Sequence, residues 1–402
     1  MRKDPPPPSF SAPYAGADEA IAARLFTEAE LPPHSEARIG GLATYLLEQI
    51  RGMPHRLGAI EDFLQEYSLS TEEGVAIMVL AEALLRVPDD ATADRLIEDK
   101  LTQPAWTQHA TESEALLVQA SAWALGLTAR TFGKPDGRSL NIVGALARRI
   151  GMGAVRQAAR QAMLILGSHF ILGRNIEEAL HRAEHDHKVG TAYSFDMLGE
   201  GARTAADAEA YYAAYAHAIE ALGANAARLT ERPGISVKLS ALHPRFEPTS
   251  RLRVMTELVP RLIRLVSLAR GADIAVTIDA EEADRLELSL EVFEALCQEP
   301  YLAGWPGFGL AVQAYQKRAE AVLDHVLALA RYYDQRFCVR LVKGAYWDTE
   351  IKRAQERGLD DYPVFTRKAM SDLNYIVCAQ KLLDARGAIF PQFATHNALT
   401  VA

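Results

Sequence analysis

From about residue 190 onward, six short runs of apolar and β-branched residues alternate with longer amphipathic stretches, and nothing else in the chain constrains its fold as tightly. The runs are TAYSFDML (191–198), GISVKLSAL (234–242), IAVTIDA (274–280), GFGLAVQAY (307–315), FCVRLVKGAY (337–346) and IFPQFAT (389–395). Between them lie segments such as TAADAEAYYAAYAHAIEAL, opened by Thr204 and Asp207 at capping-box spacing, and RAEAVLDHVLALARYY, whose apolar positions recur with a helical period. Starts spaced by roughly 30 to 55 residues, with a helix in each gap, predict parallel βαβ units, because parallel neighbours require a crossover. An open doubly wound sheet and a closed (β/α)8 barrel both fit that pattern. A dinucleotide-binding sheet should carry GxGxxG after its first strand. The nearest sequence, Gly151-Met152-Gly153, follows a helical stretch and lacks the third glycine. A TIM-like barrel is therefore the expected fold, with an all-α region before it. Eight strands would need two more after His396, so the barrel within these residues is expected to be incomplete at its C-terminal side.

The first 15 residues, with Pro5 to Pro8 and Pro13, favour an extended segment because each proline fixes φ and removes a donor. From about residue 17 to 187 the pattern is helical, without a convincing strand. Ser70-Thr71-Glu72-Glu73 has capping-box spacing ahead of GVAIMVLAEALLRV, a stretch apolar on nearly every face and so predicted to be a buried helix. Pro88, Pro104 and Pro135, with Gly133 and Gly137, mark helix breaks. The expected organisation is an arm, partly extended, over 1–35, an α-helical domain over 36–187 and a barrel over 188–402.

A formal charge of −9 argues against a general nucleic-acid-binding surface, which needs clustered cations to neutralise phosphates. Cys297, Cys338 and Cys378 are odd in number and far apart, so neither a disulfide framework nor a structural zinc site is expected, and a reducing, cytoplasmic compartment follows. The start MRKDPPPPSFSAP has no apolar export segment, and no later apolar run approaches a membrane span, although peripheral contact with a membrane is compatible with both.

In a barrel the chemistry sits where strands end at their carboxyl side, and those positions carry Asp196, Lys238, Asp279, Gln313, Arg340, Lys343, Thr395 and His396. Lys238 lies in an otherwise apolar run, where burial of an unpaired ammonium is costly. Three readings are open: a lysine neutralised by Asp196 or Asp279, a cation that receives an anionic substrate group, and a Schiff-base lysine of the aldolase type. Arg340 to Trp347 is the most informative stretch. Two cations alternate with apolar residues, then a glycine and two adjacent aromatics follow, a rim suited to a planar anionic cofactor. Thr395-His396-Asn397 offers three hydrogen-bonding side chains in a row, but such residues also cap helices. His181, His185 and His187 have metal-like spacing within a charged helix end, and no metal is expected there. No GxSxG, HExxH or P-loop occurs, against serine hydrolase, zinc protease and nucleotide triphosphatase readings.

The segments SFDMLGEGARTAADAEAYY, GISVKLSALHPRFE, TIDAEEADRLELSLE, LAVQAYQKR, VRLVKGAYWDTEIKRAQERG and PQFATHNALTVA resemble successive barrel segments of the proline utilization A family, bifunctional bacterial enzymes that join a proline dehydrogenase to a pyrroline-5-carboxylate dehydrogenase. The resemblance extends upstream to EGVAIMVLAEALLRV and ASAWALGLTAR. It implies noncovalent FAD on the carboxyl rim of the barrel, lined by Gln313, Arg340, Val342, Lys343, Gly344, Ala345, Trp347, Thr366, Lys368, Thr395, His396 and Asn397. It places the substrate at Lys238, Asp279, Leu341 and Tyr346, with catalysis by Lys238, Asp279, Arg340 and Tyr346, and it matches Glu200 to an acid that pairs with an arginine to close the site.

The implied reaction is oxidation of L-proline to 1-pyrroline-5-carboxylate, with electrons passed to a membrane quinone in a homo-oligomeric parent protein. A Schiff-base lyase using Lys238, and an assembly module that wraps a partner or the C-terminal pyrroline-5-carboxylate dehydrogenase domain, are the competing readings. The family's two substrate-binding arginines lie on the last barrel helix, beyond Ala402, so the 402 residues alone are expected to be weakly active or inactive. The family's DNA-binding ribbon-helix-helix module has no counterpart in these residues, and no nucleic-acid partner is expected.

Overall fold

The computed structural model describes residues 7–52, 92, 171–185, 190–199, 201–229 and 231–402. The chain divides into two compact units, residues 1–52 with 183–402, and residues 53–182. The expected capping box at Ser70 and the proline breaks from Pro88 to Pro135 lie outside the described residues.

The first unit holds six parallel strands: β1 (Ser194–Asp196), β2 (Gly234–Val237), β3 (Ala275–Ile278), β4 (Phe308–Gln313), β5 (Phe337–Val342) and β6 (Ile389–Phe393). All six fall inside the runs predicted from sequence. They are hydrogen-bonded in strict chain order, β1 to β6, with registers such as Phe195 opposite Ile235 and Leu310 opposite Val339. A doubly wound sheet reverses its order at a switch point, whereas an unreversed parallel order is that of a barrel. The sheet also curls. Arg340 on β5 donates to Ser236 on β2 and to Ser194 on β1, strands that are not its ladder neighbours, so its guanidinium spans the inside of a half-barrel.

Helices cover the outer face. α1 (Asp18–Glu28) and α2 (Pro33–Gly52) precede the sheet in the chain, as does α3 (Ile176–His185), which belongs to the second unit up to Arg182. Within the sheet α4 (Ala205–Asn225), α5 (Val259–Gly271), α6 (Leu286–Cys297) and α7 (Ala319–Tyr333) connect successive strands, α8 (Trp347–Glu356) and α9 (Lys368–Asp384) lie between β5 and β6, and α10 (Ala398–Val401) follows β6. Thr204 and Asp207 form the expected capping box on α4, each side chain taking the other's backbone N–H. α5 buries Leu262, Leu265, Val266 and Ala269, the one-face spacing of an amphipathic helix. Phe293 on α6 stacks on Phe308 of β4 at 4.8 Å and meets Phe337 of β5 edge-on at 5.0 Å. All three are fully buried, and each contributes about 1.5–3 kcal/mol of transfer free energy.

One sequence expectation is corrected. The run GISVKLSAL is strand only to Val237, and Leu239–Leu242 is a helical turn in which Ala241 N–H bonds the Lys238 carbonyl. Lys238 therefore stands at the carboxyl exit of β2, the place expected for barrel chemistry, and only the residues after it differ from expectation.

Candidate active site

Three consecutive strands deliver charge to one point. Asp196 ends β1, Lys238 follows β2 and Asp279 follows β3, and the Lys238 ammonium lies 2.9 Å from both Asp196 Oδ1 and Asp279 Oδ2. Its backbone is fixed from behind, because Lys238 N–H donates to the buried Tyr215 hydroxyl of α4 at 3.2 Å. Arg340 completes the group from β5, donating to Ser236 Oγ at 2.7 Å and Ser194 Oγ at 2.6 Å, with Asp279 Oδ1 3.7 Å away. Two cations and two carboxylates thus balance. Lys238 and Asp279 are nearly buried, while the Asp196 side chain is half exposed.

The balance sets protonation. Burial opposes the Lys238 ammonium, but the Asp279 and Asp196 charges and hydrogen bonds outweigh it and raise its pKa. Asp196 lies above the ordinary carboxylate range through burial, then through the Asp279 charge, with Lys238 and Arg340 pulling the other way. Of the three readings left open for Lys238, pairing with both aspartates is the one observed. A Schiff-base lysine needs a neutral amine, and this ammonium is held in the charged form.

A second cluster forms where β4 and β5 end. Gln313, the buried last residue of β4, donates to the Glu281 carbonyl at 2.9 Å and accepts from Ala345 N–H at 3.1 Å, tying the exits of β3 and β5 together. Leu341 is fully buried and Val342 half-buried. Gly344 has φ of 153°, and a Cβ there would overlap the Tyr315 ring. Tyr346 N–H donates to the Tyr315 hydroxyl at 3.3 Å. Trp347 begins α8, donates Nε1–H to the Phe365 carbonyl at 2.9 Å and leaves much of its ring exposed. Thr366 is exposed beside Phe365, and Lys343 and Lys368 both approach Asp372 on α9 at 2.5 Å.

At the exit of β6, Thr395 accepts from Asn397 N–H, Asn397 caps α10 through Thr400 N–H, and His396 is exposed. Glu200 lies outside the described residues.

Sequence reasoning passed over Ser194 and Ser236. The period of 2 in a strand puts Ser194 on the face of Asp196 and Ser236 on that of Lys238, and that signal would have found them. It also passed over Glu281, buried with its carboxylate on Ser240 N–H at 3.0 Å and Arg285 at 2.7 Å.

The β4–β5 rim fits a planar cofactor with an anionic tail. It offers an exposed indole, backbone without side-chain bulk at Gly344 and Ala345, and the cations Lys343 and Lys368 on the outside, with Arg340 facing inward.

The family model described as proline dehydrogenase matches residues 179–402, and the chain belongs to the proline dehydrogenase family. A second model, described as the DNA-binding domain of proline dehydrogenase, matches residues 59–170. Among relatives, the chain is 46% identical over 400 residues to the bifunctional protein PutA of Escherichia coli, which covers 98% of this chain and 30% of that protein. It is 28% identical over 193 residues to proline dehydrogenase 1 of Bacillus subtilis, covering 48% of this chain and 56% of that one. Among solved structures, a Bradyrhizobium japonicum PutA mutant superposes with a TM-score of 0.72 at 60% identity, over 99% of this chain and 40% of the other. The chain thus spans about a third of the length of the curated PutA relatives it matches.

Proposed function

We propose that this chain carries the proline-oxidising site of a bifunctional enzyme of the PutA kind. The observation that carries the reading is the Asp196–Lys238–Asp279 bridge with Arg340, set at the carboxyl ends of the strands of a proline dehydrogenase half-barrel beside the rim of Gly344, Ala345 and Trp347. Gln313, Arg340, Val342, Lys343, Gly344, Ala345, Trp347, Thr366, Lys368, Thr395, His396 and Asn397 hold FAD in this reading. Bound there, FAD supplies a two-electron acceptor for the hydride that leaves C5 of proline.

The chain's own residues bind and orient the substrate. L-Proline enters as a zwitterion, its carboxylate drawn to Lys238 and its amine to the aspartates. The charge-balanced cluster accepts both ends without leaving an unpaired buried charge. Leu341 and Tyr346 pack the ring, and Glu200 belongs to the closing of the site. Asp196, half exposed and more basic than an ordinary carboxylate, is placed to take up the proton that the secondary amine gives up. Arg340, facing the same space, would offset the negative charge that builds on the flavin as it takes up electrons. The product is 1-pyrroline-5-carboxylate, handed to a C-terminal pyrroline-5-carboxylate dehydrogenase domain of the parent protein. A membrane quinone takes the electrons, and the parent protein is a cytoplasmic homo-oligomer. Among the described residues no helix is long and apolar enough to cross a membrane, which is compatible with peripheral contact.

The test is a visible absorption spectrum of the purified full-length parent protein, repeated without air after adding L-proline. Flavin bands that bleach with L-proline support the reaction, and a K238M variant should keep the bands and lose the bleaching. No uptake of FAD would overturn the cofactor assignment.

A further inference from the structure

Lys317 follows β4 by four residues, and its side chain is 1% exposed, so its ammonium must be paired. The partners come from two segments far apart in sequence. Lys317 Nζ donates to the Gly16 carbonyl at 2.9 Å, lies 2.7 Å from Asp18 Oδ1, and lies 3.0 Å from Asp361 Oδ2. Gly16 and Asp18 belong to the N-terminal arm where it enters α1. Asp361 opens a strap, residues 361–367, that returns across the end of β4.

The strap carries part of the rim. Lys317 N–H bonds the Pro363 carbonyl at 3.1 Å, Val364 bridges Gln316, and Phe365 N–H bonds the Tyr315 carbonyl at 2.9 Å. The Phe365 carbonyl then receives the Trp347 indole, and Thr366 comes next. The neighbouring Arg318 ties the same arm to the other side of the rim. Its guanidinium lies over the Tyr14 ring at 4.8 Å while donating to the Ala283 carbonyl at 2.7 Å, in the loop that follows Asp279. Under α1, Leu25 packs on Phe365, so the arm meets the strap by charge at one end and by apolar contact at the other.

We infer that Lys317 is a positioning residue through which the arm, residues 10–18, clamps the strap and fixes the wall formed by Trp347 and Thr366. Lys317 touches neither the Lys238 cluster nor the exposed face of the rim, so it acts on the flavin through other residues. The inference rests on the flavin reading of that rim.

The experiment compares the full-length parent protein with its K317M and D18A variants, the second a change to a partly exposed group that leaves the barrel core untouched. Hydrogen exchange is read first, on protein without FAD. The expected result is faster exchange in peptides covering 10–18 and 359–368, with β1 to β3 unchanged. FAD titration, followed by flavin fluorescence, is read second, with affinity expected to fall by about tenfold in K317M and less in D18A. At saturating FAD, kcat and KM for proline should stay within about twofold, since a lost wall contact is restored by mass action. Exchange that rises uniformly, or rises in the strap while FAD affinity holds, overturns the inference. If K317M does not fold, D18A alone decides by the same two readings. If no form binds FAD, the flavin reading fails, and exchange in the strap still separates a clamp from none.

Discussion

Arg340 Nη2 lies 2.6 Å from Ser194 Oγ, a bond between the fifth and first strands across the inside of the sheet. A flat sheet would hold those strands about 19 Å apart at 4.8 Å per step, so the contact reports the curl directly. The same guanidinium reaches Ser236 and faces Asp279. It needs a planar fork to do so. R340K presents one compact ammonium and cannot serve both hydroxyls and the carboxylate. The expected outcome is a fall in kcat/KM for proline of about 10- to 100-fold with the fold intact, checked by steady-state kinetics beside a circular dichroism spectrum.

Strands β2 to β5 were legible because strands buried at nearly every position read as short continuous apolar runs. The more exposed β1 and β6 were legible from their place in the alternation with helices, and Thr204 with Asp207 announced α4 at the right spacing. The cations were legible too, since Lys238 at the exit of β2 and Arg340 within β5 interrupt those runs. Partners were not. That Lys238 meets Asp196 and Asp279 together depends on a staggered register of three strands, and sequence offered either acid alone. Lys317 stood outside every expected site, because its burial is created by Gly16, 301 residues away in the chain.

Glu350 on α8 is buried and accepts from Ala283 N–H at 2.6 Å, holding the loop after Asp279 against the helix that carries Trp347. Burial, reinforced by Asp284 and Glu282 against the pull of that N–H and Arg353, pushes its pKa up to about 7. A carboxyl raised above its unfolded value stabilises the fold below that unfolded value, and the contribution is lost as pH rises through about 7. E350Q keeps an acceptor for Ala283 without the charge. Between pH 5 and 8, denaturant titrations should show the parent losing on the order of 2 kcal/mol relative to E350Q. Parallel pH profiles of the two proteins would refute the assignment.

Gly344 adopts φ of 153°, and a Cβ there would run into the Tyr315 ring. Tyr315 in turn takes the Tyr346 N–H, so displacing the ring disturbs the rim on both sides. G344A is expected to cost about 1–3 kcal/mol in stability and to weaken FAD binding more than proline binding. Urea denaturation and flavin titration on the same preparation check both halves.

Residues 59–170 match a model described as DNA-binding, yet they hold more acidic than basic side chains, in a chain of net charge −9. Non-specific DNA affinity rests on cations that displace phosphate counterions, and its absence should show at low salt, where such binding is strongest. Gel-shift titration in 50 mM salt is expected to show free DNA at micromolar protein. A shifted band that disappears with added salt would reverse this expectation.

Lys238 separates two chemistries that a barrel can host. A lysine that forms imines must shed its proton, whereas this one is locked between two carboxylates 2.9 Å away and its pKa is raised. Borohydride with an aldehyde substrate should therefore leave Lys238 unmodified by mass spectrometry, although exposed lysines react. K238M removes the cation that Asp196 and Asp279 share and leaves Arg340 alone against two carboxylates. Since Asp279 is nearly buried, the loss should be about 2–4 kcal/mol at neutral pH. The double variant K238M/D279N should recover part of it, because the remaining carboxylate then faces Arg340 without a like charge beside it. Recovery measured in a double-mutant cycle would show that the pair acts as a unit. Additive losses would instead mean that Lys238 is held by its packing and its Tyr215 bond, with the aspartates as bystanders.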